Sequence, residues 1–98
     1  MFACKNIKVS CRTIASTAYI LDEQTRELHK LDQIGSIIWD HINGESTVDE
    51  LAYTISSKFE GDPVIIRDSV KGFINELADK ELVLLSKEKF EGVYVSAC

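Results

Sequence analysis

The sequence predicts a small α+β domain, and three observations carry that prediction. The first third of the chain contains short stretches of alternating or β-branched residues, which are typical of strands. Three stretches with apolar residues at helical spacing follow, and each begins at a residue suited to a helix start. A short apolar run near residue 84 then returns to strand character. Strands, three short helices and a further strand therefore follow one another along the chain.

Three segments predict an N-terminal antiparallel sheet. Residues 7–11 alternate between apolar and polar side chains, which is the pattern of a half-buried strand. Residues 17–21 are rich in β-branched and aromatic side chains, and residues 27–31 resume an extended pattern. Between them, residues 22–26 are polar and turn-like. We therefore expect a β-hairpin preceded by a shorter strand.

Local capping chemistry predicts where the three helices begin and end. Asp32 is a good N-cap for a first helix that Gly44 would terminate, because glycine readily takes the left-handed conformation after a last helical turn. Thr47 and Glu50 have the spacing of a capping box, and Pro63 suits the first turn of the third helix. Three short helices in this arrangement resemble a winged helix-turn-helix bundle.

The chain is expected to form one domain over residues 1–98, with its core at about residues 7–85. Residues 82–85 are too apolar and too few for a helix, so they predict a strand. Residues 92–95 are a candidate partner for it in a C-terminal β-hairpin. Residues 86–98 are thus a tail or a wing strand, which could instead pair with another subunit or occupy a binding groove.

Size and charge disfavour several functions. A chain of 98 residues can bury a modest core but leaves little room for a deep catalytic cavity as well. Its 16 acidic and 11 basic residues give a net charge of −5, which disfavours nucleic acid as a partner because phosphate contacts need a basic surface. No apolar run is long enough for a membrane span or a signal peptide, so we expect a cytoplasmic protein without a membrane partner.

The sequence carries no pattern for catalysis, a metal or a cofactor. Nucleotide-binding loops, nucleophile motifs and paired zinc ligands are all missing. We therefore expect no catalytic residues, no metal site and no cofactor, and the chain is not expected to be an enzyme. Cys4, Cys11 and Cys98 form no zinc pattern and are expected to be free thiols. A Cys4–Cys11 or a terminal disulfide is the alternative.

Three segments together resemble the PqqD-like proteins. Residues 31–39, Leu-Asp-Gln-Ile-Gly-Ser-Ile-Ile-Trp, are similar to the family's Leu-Asn-x-x-Gly-x-x-Ile-Trp segment. Residues 43–51, Asn-Gly-Glu-Ser-Thr-Val-Asp-Glu-Leu, are similar to its Asp-Gly-x-x-Thr-Val-x-Glu-Leu stretch. Residues 68–77 and the following Leu82 and Val83 look like its third helix and the exit from that helix. The likeness covers about residues 18–85, in the family's order.

This resemblance implies both a fold and a function. PqqD-like proteins are peptide chaperones, also called RiPP recognition elements, in which a three-stranded antiparallel sheet packs on a three-helix winged helix-turn-helix bundle. They hold the leader of a ribosomally synthesised precursor peptide and present it to a modifying enzyme, often a radical SAM protein. The founding case acts in pyrroloquinoline quinone biosynthesis, and the resemblance leaves the peptide, enzyme and product of this chain open. A winged helix-turn-helix DNA-binding protein and a dimerisation module without a peptide ligand are the alternatives.

The resemblance also implies where the peptide binds. In such domains the leader adds as an extra strand beside the third strand, in a cleft against the third helix, and the unpaired backbone groups of an edge strand favour this mode. The peptide-binding residues expected here are Glu27, Leu28, His29, Lys30 and Leu31 on the strand and Ile66, Arg67, Val70, Lys71 and Ile74 on the helix. Lys30, Arg67 and Lys71 would attract an acidic leader. The same edge could pair with a second copy, so a homodimer is an open alternative.

Overall fold

The computed structural model describes residues 1–90, so the candidate strand at residues 92–95 lies outside the described part. The described part has three helices and two antiparallel sheets, which confirms the α+β class. Its strands are β1 (Phe2–Lys5), β2 (Val9–Ile14), β3 (Thr17–Asp22), β4 (Leu28–Lys30) and β5 (Val83–Ser86). Its helices are α1 (Gln33–His41), α2 (Val48–Ser56) and α3 (Pro63–Asp79). None of these helices is long and apolar enough to cross a membrane.

The three-stranded sheet has the order β2-β3-β4 and is antiparallel throughout. It confirms the predicted hairpin and the strand before it, although β2 begins and ends later than the predicted range 7–11. Ala15 and Ser16 form the tight turn between β2 and β3, with positive φ angles of 50° and 66°. Turns with two positive φ angles usually contain Asn or Gly at these positions. Because this turn has Ala and Ser instead, its position could not be predicted from the sequence.

The second sheet consists of β1 and β5, and its pairing was not predicted. The two strands are antiparallel, with Phe2 opposite Ser86. The loop before α2 also holds β1, because the backbone N–H of Ala3 donates to the carbonyl of Ser46 at 3.3 Å. The strand predicted at residues 82–85 is confirmed as β5, and its partner among the described residues is β1.

The predicted starts of all three helices are confirmed. Asp32 caps α1, and its carboxylate accepts a hydrogen bond from the backbone N–H of Gly35 at 2.6 Å. Thr47 and Glu50 form the predicted capping box, in which each side chain accepts from the other residue's backbone N–H at 3.1 and 2.9 Å. Pro63 occupies the first turn of α3. Local hydrogen-bonding chemistry thus sets where each helix begins.

The core lies between the three-stranded sheet and the helices. α1 packs against β3, α2 against α3, and α3 against β5. Trp39 of α1 has no exposed surface, and the same holds for Ile20, Ile55 and Ile74 on three other elements. Lys5 is also buried, with its Nζ atom 5.2 Å from the centroid of the Trp39 ring. Burial lowers the pKa of Lys5, because it disfavours the charged ammonium.

The cysteines differ from the expectation of free thiols. Cys4 is a buried thiol in β1, whereas Cys11 of β2 takes part in a disulfide. The expectation is therefore wrong at Cys11, and a Cys4–Cys11 disulfide is excluded as well. Cys98 lies outside the described residues.

The buried carboxylate of Asp22 predicts a loss of stability in acid. It lies 3.1 Å from Lys8 Nζ and accepts hydrogen bonds from the backbone N–H groups of Gln24 and Thr25. Burial acts to raise the pKa of Asp22, but the Lys8 hydrogen bond and the two backbone donors together lower it below its ordinary value. Below about pH 4 the unfolded chain then binds more protons than the folded chain, so the free energy of unfolding decreases.

Urea unfolding at a series of pH values measures this dependence. Asp22→Asn is expected to have a lower free energy of unfolding than the wild type at neutral pH. As the pH is lowered, its free energy of unfolding is expected to decrease less than that of the wild type. The control Asp79→Asn removes an exposed carboxylate and is expected to keep the wild-type pH profile. Parallel profiles for the wild type and Asp22→Asn would contradict the role given to this carboxylate.

Candidate functional site

β4 is an edge strand, because it pairs with β3 alone among the described strands. At its two ends, the N–H of Asp22 donates to the carbonyl of Glu27 and the N–H of Leu31 donates to that of Ala18, both at 2.9 Å. Hydrogen-bonded pairs alternate along an antiparallel ladder, so the backbone groups of the central residue His29 face β3. Those of its neighbours Leu28 and Lys30 therefore point away from β3.

The side chains of β4 alternate between the two faces of the sheet. Leu28 is 65% exposed and Lys30 is exposed on the outer face. His29 is partly buried on the core side, where its Nε2 atom lies 3.6 Å from a carboxylate oxygen of Glu27. Leu31, directly after the strand, is only 9% exposed and belongs to the core. The edge therefore combines free backbone groups with one large exposed apolar side chain.

An apolar groove of about 400 Å³ begins where β4 ends. It runs between the first half of α1, the end of α2 and the first half of α3. Its apolar lining residues are Ile34, Gly35, Ile38, Ile55, Phe59, Ile65, Ile66, Val70 and Phe73, and its polar ones are Asp32, Glu60 and Ser69. We call this feature the apolar groove. Its volume is in the range of cavities that bind small ligands or side chains.

Two large apolar side chains that line this groove are exposed to solvent, Ile34 at 54% and Ile65 at 64%. Leu28 on β4 is 65% exposed as well, although it does not line the groove. Single exposed apolar residues are ordinary, but a cluster of them that lines a concavity marks a binding surface. The apolar groove and the adjoining β4 edge are therefore the candidate site.

A second groove of about 440 Å³ lies between α2 and α3 and is polar. Its lining residues are Asp49, Tyr53, Val64, Arg67, Asp68 and Lys71, and we call it the polar groove. Lys71 Nζ lies 2.7 Å from a carboxylate oxygen of Asp49, and this hydrogen bond lowers the pKa of Asp49. Arg67 and Lys71 share the groove with two aspartates, so they do not form a basic surface.

The expected helix residues divide between these two grooves. Ile66 and Val70 line the apolar groove, whereas Arg67 and Lys71 line the polar groove. Ile74 has no exposed surface and supports the helix from the core. The expected attraction of an acidic leader by Arg67 and Lys71 thus has no counterpart at the apolar groove.

The site expected from sequence did not include seven of the nine apolar residues that line the groove. They are Ile34, Gly35, Ile38, Ile55, Phe59, Ile65 and Phe73. Ile34 and Ile65 both lie in the first turns of their helices. Ile34 has the spacing of the apolar stripe of α1, so its sequence position carries no separate signal, whereas Ile65 lies one residue before the stripe that begins at Ile66. A strongly apolar residue outside the stripe, as at Ile65, is the signal that could have indicated a binding surface.

Gly35 brings α1 close to α3 at the floor of the apolar groove. A Cβ atom at this position would lie 2.9 Å from the Asp32 cap oxygen and 3.0 Å from the end of the Phe73 ring. Gly35→Ala is therefore expected to displace Phe73 and to lower the free energy of unfolding by about 1–3 kcal/mol. The measurement is urea unfolding, together with the amide spectrum of the groove residues.

Gly72 in α3 provides the matched control. A Cβ atom there would meet nothing within 4 Å, and the residue is exposed. Gly72→Ala is expected to raise the free energy of unfolding by about 0.5–1 kcal/mol, because alanine favours a helix over glycine. Equal stabilisation by both substitutions would contradict a close α1–α3 contact at Gly35.

The fold defined by these elements occurs in two solved structures with bound peptides. One is TbiB1 in complex with the TbiA(beta) leader peptide, with a TM-score of 0.77 and 24% identity, over 87% of this chain and 99% of that one. The other is lasso peptide synthetase B1 complexed with the leader peptide, with a TM-score of 0.75 and 13% identity, over 87% of this chain and 100% of that one. This chain therefore shares the fold of these proteins.

The sequence itself identifies the family. Residues 18–83 match the family described as coenzyme PQQ synthesis protein D, PqqD, and this match covers most of the chain. The chain belongs to the PqqD family, which confirms the resemblance seen in its three segments. No curated protein matches it at a significant level.

Proposed function

We propose that this protein is a non-catalytic peptide chaperone for the leader of a ribosomally synthesised precursor peptide. The leader adds to β4 as an extra antiparallel or parallel strand and places apolar side chains in the apolar groove. The protein then presents the precursor to a modifying enzyme. The observation that carries this proposal is the free edge of β4 adjoining an apolar groove with exposed isoleucines.

The geometry supplies two kinds of interaction to a peptide strand. The outward backbone groups of Leu28 and Lys30 can pair with the peptide main chain, which gives affinity without regard to sequence. The groove then selects particular side chains, since fully burying one leucine- or phenylalanine-sized side chain contributes roughly 1.5–3 kcal/mol. Ile66 and Val70 form part of the groove wall, and Glu27 and Leu31 flank the edge.

Family membership and the two structural neighbours support the same function. Both neighbours are complexes with leader peptides, and this chain shares their fold. We propose a winged helix-turn-helix arrangement for the three helices, a cytoplasmic location and a radical SAM protein as the modifying enzyme, in keeping with PqqD-like proteins. Pyrroloquinoline quinone or another peptide-derived compound would be the product. Arg67 and Lys71 would contact only a leader that reaches the polar groove.

Titration of isotope-labelled protein with a leader peptide tests the proposal. The peptide is the leader of a precursor whose gene lies next to the gene for this protein. The amide signals of residues 28–30, and those of Ile66 and Val70, are expected to shift in proportion to bound peptide. The amides of β5 serve as an internal reference that should move little, because β5 pairs with β1 in the other sheet. Saturation with the peptide and unchanged β4 signals would contradict the proposed site.

A further inference from the structure

The charges at the apolar groove all have one sign. Among its twelve lining residues, the charged ones are Asp32 and Glu60, and no basic residue contributes to the lining. On the neighbouring strand edge, the exposed residues Glu27 and Lys30 carry opposite charges that offset each other. A peptide in the groove therefore meets an acidic environment, on a chain whose net charge is already −5.

The two carboxylates differ in how much charge they can offer a ligand. Asp32 accepts the capping hydrogen bond from Gly35 N, so its charge is partly offset by the positive end of α1. Glu60 is exposed in the connection between α2 and α3, and within residues 1–90 it takes part in no ion pair. Glu60 is therefore the side chain that can attract a cation on a bound peptide.

We propose that the apolar groove selects leader segments that carry a lysine or arginine beside their apolar anchor residues, and that Glu60 determines this preference. This inference rests on the proposed function and names its substrate class. Apolar burial supplies most of the affinity, and the charge at the groove chooses among peptides with similar apolar residues. The preference is opposite to the acidic leader that the basic residues of α3 suggest from sequence.

Selection of short random peptides displayed on phage against the full-length chain tests this preference. Selected peptides are expected to combine apolar residues with lysine or arginine more often than the starting library. Each selected peptide is then synthesised in two forms, one as selected and one with its basic residue replaced by glutamate. Both forms, here called the basic copy and the glutamate copy, are titrated with the protein by fluorescence anisotropy. The glutamate copies are expected to bind the wild-type chain about three- to tenfold more weakly, because repulsion replaces attraction at an exposed pair.

Glu60→Lys provides the charge-reversed site and Glu45→Lys the matched control. Glu45 is also exposed but lies in the loop after α1, outside the groove lining, so both variants change the net charge equally. Glu60→Lys is expected to reverse the preference, so that the glutamate copies bind it better than the basic ones. Glu45→Lys is expected to keep the wild-type preference, and added salt should weaken the preference in each case.

The outcomes separate this inference from the proposed function. Peptides that shift the β4 and groove amides but bind equally with lysine or glutamate would overturn the charge preference alone. A preference for basic peptides that Glu45→Lys changes as much as Glu60→Lys does would overturn the role of Glu60, because net charge would then explain it. If no selected peptide shifts those amides, the proposed function fails and this inference fails with it.

Discussion

Replacing Lys30 with proline is expected to weaken leader binding about tenfold or more while the domain stays folded. The N–H of Lys30 points away from β3, so proline at this position removes a donor that the folded chain does not use. The incoming peptide loses that main-chain hydrogen bond and meets the pyrrolidine ring at the edge. A lost hydrogen bond with an unsatisfied partner costs about 1–3 kcal/mol, which corresponds to roughly five- to 150-fold in affinity.

Two further variants make this result specific to the backbone. Lys30→Ala removes the charged side chain but keeps the N–H, so it is expected to retain most of the affinity. His29→Pro removes an N–H that faces β3 and is expected to destabilise the sheet itself. Isothermal titration with the leader peptide gives the affinities, and circular dichroism reports the fold. Equal losses for Lys30→Pro and Lys30→Ala would exclude strand addition at this edge.

Trp39→Ala is expected to have the largest effect on stability of any single substitution considered. Trp39 has no exposed surface and packs in the core beside the buried Lys5 side chain. Truncation of a buried aromatic residue to alanine costs about 3–5 kcal/mol. Because a domain of this kind has a total stability of roughly 5–15 kcal/mol, this variant is expected to lose a large fraction of its free energy of unfolding.

Thermal and urea unfolding measure this effect, with two comparisons. Trp39→Phe keeps an aromatic ring and removes the indole N–H, which has no hydrogen-bond partner in the described part of the chain, so its cost is expected to be smaller. Tyr53→Ala truncates an aromatic residue that is 65% exposed and is expected to change stability by only about 0.5 kcal/mol. Similar losses for Tyr53→Ala and Trp39→Ala would contradict the central place of Trp39.

The elements that the sequence predicted well are those whose signals are local. The Asp32 cap, the Thr47–Glu50 capping box and Pro63 each act within one helical turn, so the residues themselves determine where the helices begin. The hairpin of β3 and β4 is likewise a contact between neighbours in sequence. Such features need no knowledge of distant parts of the chain.

The β1–β5 sheet could not be predicted for the opposite reason. Its two strands lie at the two ends of the described chain, and β1 has four residues with no alternation of polarity. Three of those residues are buried, including the charged Lys5, so neither composition nor periodicity marks a strand. The pairing depends on how the helices bring the two ends together, which single-sequence patterns do not contain.

The candidate site was predicted in part, and the limit was the direction of each side chain. Sequence similarity placed the edge at residues 27–31 and the wall on the third helix. Neighbours along a helix can face different grooves, however, as Ile66 and Arg67 do. The apolar groove also depends on Phe59, which the connection between α2 and α3 contributes. Only the packing of three helices brings these residues together.

If the leader adds to β4 as proposed, the shortness of this strand limits how long the leader stays bound. A strand of three residues offers outward backbone groups from only two of them, so strand addition alone gives a weak, quickly reversed contact. Contacts in the groove must then account for most of the lifetime of the complex. A partner enzyme can bind the part of the precursor that this protein leaves free. A short edge strand also disfavours edge-to-edge pairing between copies of the chain, and hence aggregation. A weak, rapidly reversible contact thus suits the proposed role of presenting a precursor peptide to a modifying enzyme.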